Sequence, residues 1–161
     1  MLASGQVSAE DMIRGYIGRA CEAQRKTNCL TDLCFDDAID QARHLDNFQR
    51  THGQLIGPLH GVPMSVKDQF NIKGLDSTLG YVCNAFTPAK SDAPLVHTLK
   101  QLGAIIIAKT NQPQSIMWCE TDKPALGFDH TSNQFEAHSW GLLRWRGRSA
   151  GSRWLIDRLG D

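Results

Sequence analysis

The sequence has no excess of charge and no long apolar run. Among its 161 residues, 17 lysines and arginines balance 17 aspartates and glutamates, so the formal net charge is zero. A neutral chain has no general electrostatic attraction for nucleic acid or for an anionic membrane, and no nucleic-acid-binding motif is visible. No apolar stretch reaches the roughly 20 residues that a membrane-spanning helix needs. We therefore expect no nucleic-acid partner and no transmembrane segment.

The sequence also lacks a metal-binding or disulfide pattern. Its cysteines are odd in number and scattered, without a CxxC pair and without a histidine at ligand spacing: Cys21, Cys29, Cys34, Cys83 and Cys119. We expect reduced thiols and no metal site. Cys119 is open to interpretation as a nucleophile, but the nearby Glu120 and Asp122 disfavour a thiolate and oppose that role.

A secretory leader is not indicated either. The first residues do not contain a basic region followed by an apolar one, because Glu10 and Asp11 interrupt any such pattern. A cytoplasmic location is therefore expected. The 41% hydrophobic content is enough for one core in a chain of this length.

Hydrophobic periodicity and cap residues predict an α/β fold, with helices alternating with short strands. The Ser91 to Pro94 segment is typical of a helix start, with Asp92 as the cap. Asn111 and Pro113 indicate another short helix that reaches Trp118. The remaining predicted elements are a helix from Ser8 to about Gln24, a strand within 28–35, a helix from Asp36 to Gly53, a strand ending on Lys67, and a buried strand over 104–108.

Lys67 is the first candidate for catalysis. It follows Val62, Met64 and Val66 in a mostly apolar strand, which favours a packed lysine stem. An ammonium kept from water loses hydration, and the neutral amine that results can act as a base. The alternative is a lysine that extends from the strand end into solvent beside Asp68. The local pattern leaves both interpretations open.

Three separate motifs, in order, resemble the amidase signature family. They are GPLHGVPMSVKDQFNIKG from Gly57, DSTLG from Asp76 and GAIIIAKTNQP from Gly103. Their order and spacing are similar to those of the fungal acetamidase-like and fatty-acid-amide-hydrolase-like members, from about Ser8 to Gly127. The resemblance implies a mixed, twisted sheet flanked by helices and a hydrolase of carboxamide C–N bonds. It implies a small-molecule amide substrate and no metal or organic cofactor.

The resemblance also implies roles for two residues. The family uses a Ser, cis-Ser, Lys triad, and its lysine falls on Lys67. In intact relatives the neutral lysine accepts a proton, through the cis-Ser, from the serine that attacks the amide carbon and becomes acylated. Ile116 aligns with a position that contacts the acyl part of the substrate in some resembling enzymes. A core isoleucine is the alternative for Ile116.

The resemblance ends after Gly127, where the family pattern T-P-G-G-S-S-G-G-E is expected and HSWGLLRWR is found, from His138 to Arg146. Tryptophan has the single codon TGG. A forward shift of one nucleotide therefore makes Trp140 and Trp145 glycine, and the neighbouring codons can then encode the missing pattern. We infer that residues 1–127 are the N-terminal part of an amidase domain and that residues 128–161 are a frame-shifted, non-native C-terminal tail.

This inference predicts a chain that is catalytically incompetent. Leu142 occupies the cis-Ser position and cannot relay a proton, and the nucleophile and oxyanion-hole amides are expected beyond Asp161. The fold is then only a partial amidase-signature fold. Two alternatives remain: a non-catalytic binding or regulatory fragment with an amidase-like shape, and a different enzyme that uses Lys67 or Cys119 in its own way.

Overall fold

The computed structural model describes Leu2, residues 4–117 and two short strands at Asp122–Lys123 and Gly127–Phe128. The elements within 4–117 are α1 (Ala9–Thr27), β1 (Leu30–Leu33), α2 (Phe35–His52), β2 (Pro63–Lys67), α3 (Pro94–Gln101) and β3 (Ile105–Thr110). The two short strands, β4 and β5, pair with each other in antiparallel fashion.

The first two helices begin where their sequence signals predict, and α2 ends at the predicted glycine. α1 instead continues to Thr27, beyond the predicted Gln24, and ends at Asn28 in the left-handed conformation. The Ser8 hydroxyl accepts a hydrogen bond from the Asp11 N–H at 3.0 Å and so caps α1. The Asp46 carboxylate of α2 accepts hydrogen bonds from the first two amides of α1, those of Ala9 and Glu10. Gly53 adopts the left-handed conformation and ends α2. The two helices are thus joined by packing and by a side chain of α2 that caps the start of α1.

Strand β3 is the centre of a three-stranded sheet with the order β1–β3–β2. β1 runs antiparallel to β3, and β2 runs parallel to it. The sheet is therefore mixed, and α3 connects the two parallel strands, as expected for an α/β unit. A register irregularity lies between Met64 and Ser65 of β2, opposite β3. The predicted fold class is confirmed.

Apolar side chains cover both faces of β3. On one face, Ile105 and Ile107 join a core that includes Ile13 of α1 and Ala38 of α2. On the other face, Ile106 joins a second core, formed with Cys34, Val66, Ile72 and Val96. Burial on both faces explains why the sequence of β3 is continuously aliphatic rather than alternating.

Two predicted helix caps are wrong. Ala93, not Asp92, is the cap residue of α3, and no side chain caps that helix. The Asp92 carboxylate instead accepts from the Lys73 N–H at 2.8 Å and from the Lys100 ammonium at 2.7 Å. Asn111 is completely buried, and Pro113, not Asn111, is the cap residue of the 3-10 turn Gln114–Ile116. Trp118 and Cys119 lie outside the described residues. The same is true of the predicted tail beyond Phe128, which includes Leu142.

Candidate active site

Lys67 is the last residue of β2, at the carboxyl end of the strand. Its Cα lies opposite that of Thr110, the last residue of β3. Side chains alternate along a strand, so Ser65 and Lys67 project to the side of the sheet opposite Val66. Ser65 is exposed and Lys67 is half-buried, whereas Val66 is buried. The predicted apolar surroundings of Lys67 are therefore only partly present, and among the described strands β2 lies at the edge of the sheet.

The carboxylate of Asp68 lies beneath the end of β2 and is almost fully buried, with 2% of its surface exposed. Its Oδ2 accepts hydrogen bonds from the Leu79 N–H at 2.8 Å and from the Thr78 hydroxyl at 3.1 Å. The Asp68 backbone N–H donates to the carbonyl of Thr110 at 2.8 Å. Asp68 therefore joins three segments that the motif analysis had identified separately.

Lys109 is a fully buried lysine close to this carboxylate. Its Nζ lies 3.8 Å from Asp68 Oδ1 and donates to Ser77 Oγ at 2.9 Å and to the backbone carbonyl of Asp76. The Cα of Lys109 lies opposite that of Val66, so the two side chains share a face. Burial lowers the pKa of Lys109, and the nearby carboxylates of Asp68 and Asp32 oppose that effect.

The Asp32 carboxyl completes a cluster of charges beneath the sheet. Burial is the main cause that raises its pKa to about 6, and the Lys109 ammonium opposes that rise. The carboxylates of Asp68 and Asp76 add to the rise by repulsion, and the Asp76 N–H donates a hydrogen bond that favours the ionised form. One buried ammonium is thus shared among three acidic residues, which makes a fully ionised cluster costly.

A turn next to this loop has strained backbone. Ser115 and Ile116 both have positive φ values, 55° and 62°. For a β-branched isoleucine this conformation is rare. The turn is held by a hydrogen bond from the Ser115 N–H to the Leu79 carbonyl and by a contact between the hydroxyls of Ser115 and Tyr81. Ile116 is 47% exposed, so its interpretation as a core residue is wrong.

His60 is buried and its contacts are structural. Its Nδ1 accepts from the Ile56 N–H at 3.2 Å, which requires an unprotonated Nδ1. Burial lowers the pKa of His60. Gly103, with φ of +93°, packs so closely on His60 that a Cβ at residue 103 would lie 2.8 Å from the His60 Cα. The His60 ring therefore stabilises the turn before β2, and the backbone of that turn packs against Gly103 in the turn before β3.

Sequence reasoning missed Lys109, although it stood in a quoted motif. The aliphatic run was taken to end at Ala108, while the structure continues the strand to Thr110. The available signal was the position of Lys109 directly after a run expected to be buried on both faces. A lysine in that position must find partners inside the protein, because the chain cannot deliver its ammonium to water.

In the described part of the chain, no group of three or more His, Cys, Asp or Glu side chains is arranged to hold a metal ion. Four cysteines there, Cys21, Cys29, Cys34 and Cys83, are free thiols. None of the helices within the described residues is long and apolar enough to cross a bilayer.

Comparisons with known proteins identify the family of the chain. The Amidase family model matches residues 11–151, and the chain belongs to this family, whose members carry the amidase signature. The chain is 68% identical over 127 residues to Amidase 2 of Gibberella moniliformis, covering 79% of this chain and 25% of that protein. It is 36% identical over 126 residues to an acetamidase of Emericella nidulans, covering 78% of this chain and 23% of that protein.

Solved structures show the same fold. A fatty acid amide hydrolase superposes with a TM-score of 0.77 and 33% identity, covering 80% of this chain and 22% of that one. The peptide amidase of Stenotrophomonas maltophilia superposes with a TM-score of 0.64 and 28% identity, covering 70% of this chain and 23% of that one. The chain thus spans about a quarter of the length of the relatives it matches. The amidase-family assignment and the partial amidase fold are confirmed.

Proposed function

We propose that residues 1–127 are the N-terminal part of a hydrolase that cleaves carboxamide C–N bonds in small-molecule amides, with Lys67 as its proton acceptor. The observation that carries this proposal is the placement of Lys67 at the carboxyl end of β2, beside Asp68, within a chain 68% identical to a fungal amidase. Strand ends present side chains to a common edge, where catalytic groups from several segments can meet. A cytoplasmic location is part of the same proposal.

The half-buried state of Lys67 supports a role in contact with the substrate. A fully buried lysine such as Lys109 is already engaged by internal acceptors and cannot reach a substrate. Lys67 is half-buried instead, on a face of the sheet different from that of the buried cluster. Ile116, exposed near the same loop, is the proposed contact for the acyl part of the substrate.

The proposal includes a loss of reading frame after about residue 127, which would leave this chain without turnover. Its support is the pair Trp140 and Trp145, whose single codon becomes glycine after a one-nucleotide shift, at the spacing of the outer glycines in the family's Gly-Gly-Ser-Ser-Gly-Gly signature. The match with Amidase 2 covers 127 residues, the length of the proposed in-frame part, although the family model continues to residue 151. In this frame Leu142 stands where a serine is needed and cannot relay a proton.

The coding DNA tests the frame directly. Reading the bases after codon 127 one nucleotide forward should give a Thr-Pro-Gly-Gly-Ser-Ser-Gly-Gly-Glu signature and an open frame beyond it. A downstream frame dense in stop codons, with no serine-glycine signature, would refute the proposed shift. The shift could fail in this way while the assignment to the amidase family remained.

Enzyme assays test the role of Lys67. The purified chain should release no ammonia from acetamide and no free acid from a long-chain primary amide. The protein encoded by a gene with the frame restored should hydrolyse at least one of these two amides. In that protein, Lys67→Ala should lower kcat by several orders of magnitude. Lys73→Ala, which changes an exposed lysine six residues away, is the matched control. Turnover by the present chain that depends on Lys67 would contradict the proposed incompetence.

A second candidate is a non-catalytic binding fragment with an amidase-like shape. It is favoured by exposed apolar side chains in the loop and turn beside the site, where Val82, Phe86 and Met117 have 69%, 80% and 82% of their surface exposed. Such a surface is typical of a protein interface. Light scattering of the purified chain tests this candidate. A dimer or a larger stable complex is expected if the surface binds protein, and a monomer is expected if it does not.

A further inference from the structure

We propose that Lys109 is a positioning residue for Lys67: its buried ammonium ties the loop Asp76–Gly80 to the end of the strand that carries Lys67. This inference rests on the proposed role of Lys67, since positioning matters only if Lys67 acts on a substrate. Lys109 itself is completely buried, so its effect on the reaction would pass through other residues.

Several segments of the chain meet at this ammonium. Lys109 extends from the central strand and donates to Ser77 Oγ and to the Asp76 carbonyl of the loop. It also lies 3.8 Å from the carboxylate of Asp68, the residue that directly follows Lys67. A cation buried without partners is costly, so the loop and Asp68 are held where they satisfy it.

Asp68 continues the connection into the loop. Its other carboxylate oxygen accepts from the Leu79 N–H and from the Thr78 hydroxyl. From residues 76 to 79, each residue therefore contacts either Lys109 or Asp68. Leu79 has a positive φ of 52°, a conformation that is uncommon for a leucine and that the surrounding contacts must maintain.

The end of β2 is held by few contacts. β2 is paired on only one side in the described sheet, and its last residues are held by β3 and by the contacts of Asp68. Val66 shares its face with Lys109, and Lys67 is the next residue along the same short strand. Without the buried contacts, the end of β2 and its loop would be free to open as one local unit.

A stabilising role alone makes a different prediction from a positioning role. If Lys109 only stabilises the fold, its loss increases hydrogen exchange everywhere by a similar factor. If it positions the loop and Lys67, its loss has the largest effect on the Leu79 amide and on the reactivity of Lys67. The reference amide is that of Ile105, which donates to the Val62 carbonyl at 2.9 Å at the far end of the parallel pair.

The experiment compares Lys109→Met with Lys100→Met in the full chain. Lys100 pairs with Asp92 at 2.7 Å in a partly exposed site, so its removal breaks an ion pair away from the loop. Amide hydrogen exchange is followed at Leu79 and Ile105. Acetylation by N-hydroxysuccinimidyl acetate is followed at Lys67 and at Lys73, which is exposed and serves as the internal reference.

In Lys109→Met, the protection of Leu79 should fall about tenfold relative to Ile105, because a hydrogen-bonded buried charge is lost. The ratio of Lys67 to Lys73 acetylation should rise about threefold as the strand end opens. Both ratios should stay unchanged in Lys100→Met. Equal loss of protection at both amides, or an unchanged acetylation ratio, would overturn the proposal.

If Lys109→Met does not fold, Ser77→Ala carries the test. It removes one acceptor of the ammonium and leaves the charge pair with Asp68 in place. The same two ratios should change in the same direction by a smaller factor, and no change would overturn the proposal. Neither measurement requires turnover, so failure here is distinct from failure of Lys67 as the proton acceptor.

Discussion

Replacing Asp32 by asparagine should raise the free energy of unfolding at neutral pH and leave it almost unchanged near pH 4. Burial raises the pKa of Asp32 from 3.8 to about 6 in the folded chain. Between these two values the folded state holds a proton that the unfolded state has lost. The stability of the native sequence therefore falls as the pH rises from about 4 to about 6, and the full penalty remains above that range.

The magnitude follows from the same pKa values. Each pKa unit corresponds to about 1.4 kcal/mol, so the ionisation of Asp32 costs the folded state up to about 3 kcal/mol at neutral pH. That cost is already net of the attraction to the Lys109 ammonium, and asparagine removes it but keeps only a neutral acceptor for the Asp76 N–H. We therefore expect Asp32→Asn to stabilise the chain by about 1 to 2 kcal/mol at pH 7.

Urea denaturation followed by circular dichroism at pH 4, 5, 6 and 7 measures this difference. Asp40→Asn is the matched control, because its side chain is 76% exposed and its replacement should leave the pH dependence as it is. Stability curves of the native sequence and Asp32→Asn that run parallel from pH 4 to pH 7 would refute the reasoning. Such a result would mean that Asp32 ionises in the folded chain as readily as it does in the unfolded chain.

Three further predictions concern the turns and the thiols. Gly103→Ala should destabilise the chain by about 1 to 3 kcal/mol in thermal unfolding, because Gly103 has a positive φ and lies against His60. Gly18→Ala is the control: Gly18 lies in open space on α1, and its replacement should stabilise the chain by up to about 1 kcal/mol. Lowering the pH below about 6.5 should destabilise the native sequence more than His60→Gln, because protonation breaks the hydrogen bond to Nδ1. Cys83 should react with iodoacetamide in minutes and Cys34 far more slowly, as followed by mass spectrometry, since burial raises the pKa of Cys34 to about 12.

Each of these predictions has an outcome that contradicts it. A Gly103→Ala chain as stable as the native one would show that the turn can move away from His60. Identical acid unfolding of the native chain and His60→Gln would remove the histidine as a cause of acid sensitivity. Alkylation of Cys34 at the rate of Cys83 would mean that its core opens on the timescale of the reaction.

The helices and the central strand could be predicted because their signals are local. Ser8 and Gly53 act through backbone groups a few residues away, and the aliphatic run before Lys109 reflects burial on both faces. The cap of α3 was mispredicted because Asp92 had a competing partner in Lys100, eight residues further along the chain. No local rule shows from which of two sets of donors a carboxylate will accept.

The candidate site was predicted less completely, for a related reason. Lys67 was identified from its place in a motif, but its degree of burial depends on how β2 lies at the edge of the sheet. The contacts of Lys109 join residues more than thirty positions apart, and those of Asp68 reach ten and eleven positions along the chain. Such contacts follow from the path of the backbone, which periodicity alone does not give.

The strand order has a consequence for how the polypeptide is assembled as it leaves the ribosome. β1 and β2 do not pair with each other, since the third strand to be synthesised lies between them. The backbone groups of β1 and β2 that pair with β3 therefore remain unpaired until Thr110 has emerged, and only then can the sheet form in one step. A nascent chain halted before this residue would carry two unpaired strands, whereas one halted just after it could already bury both faces of its centre.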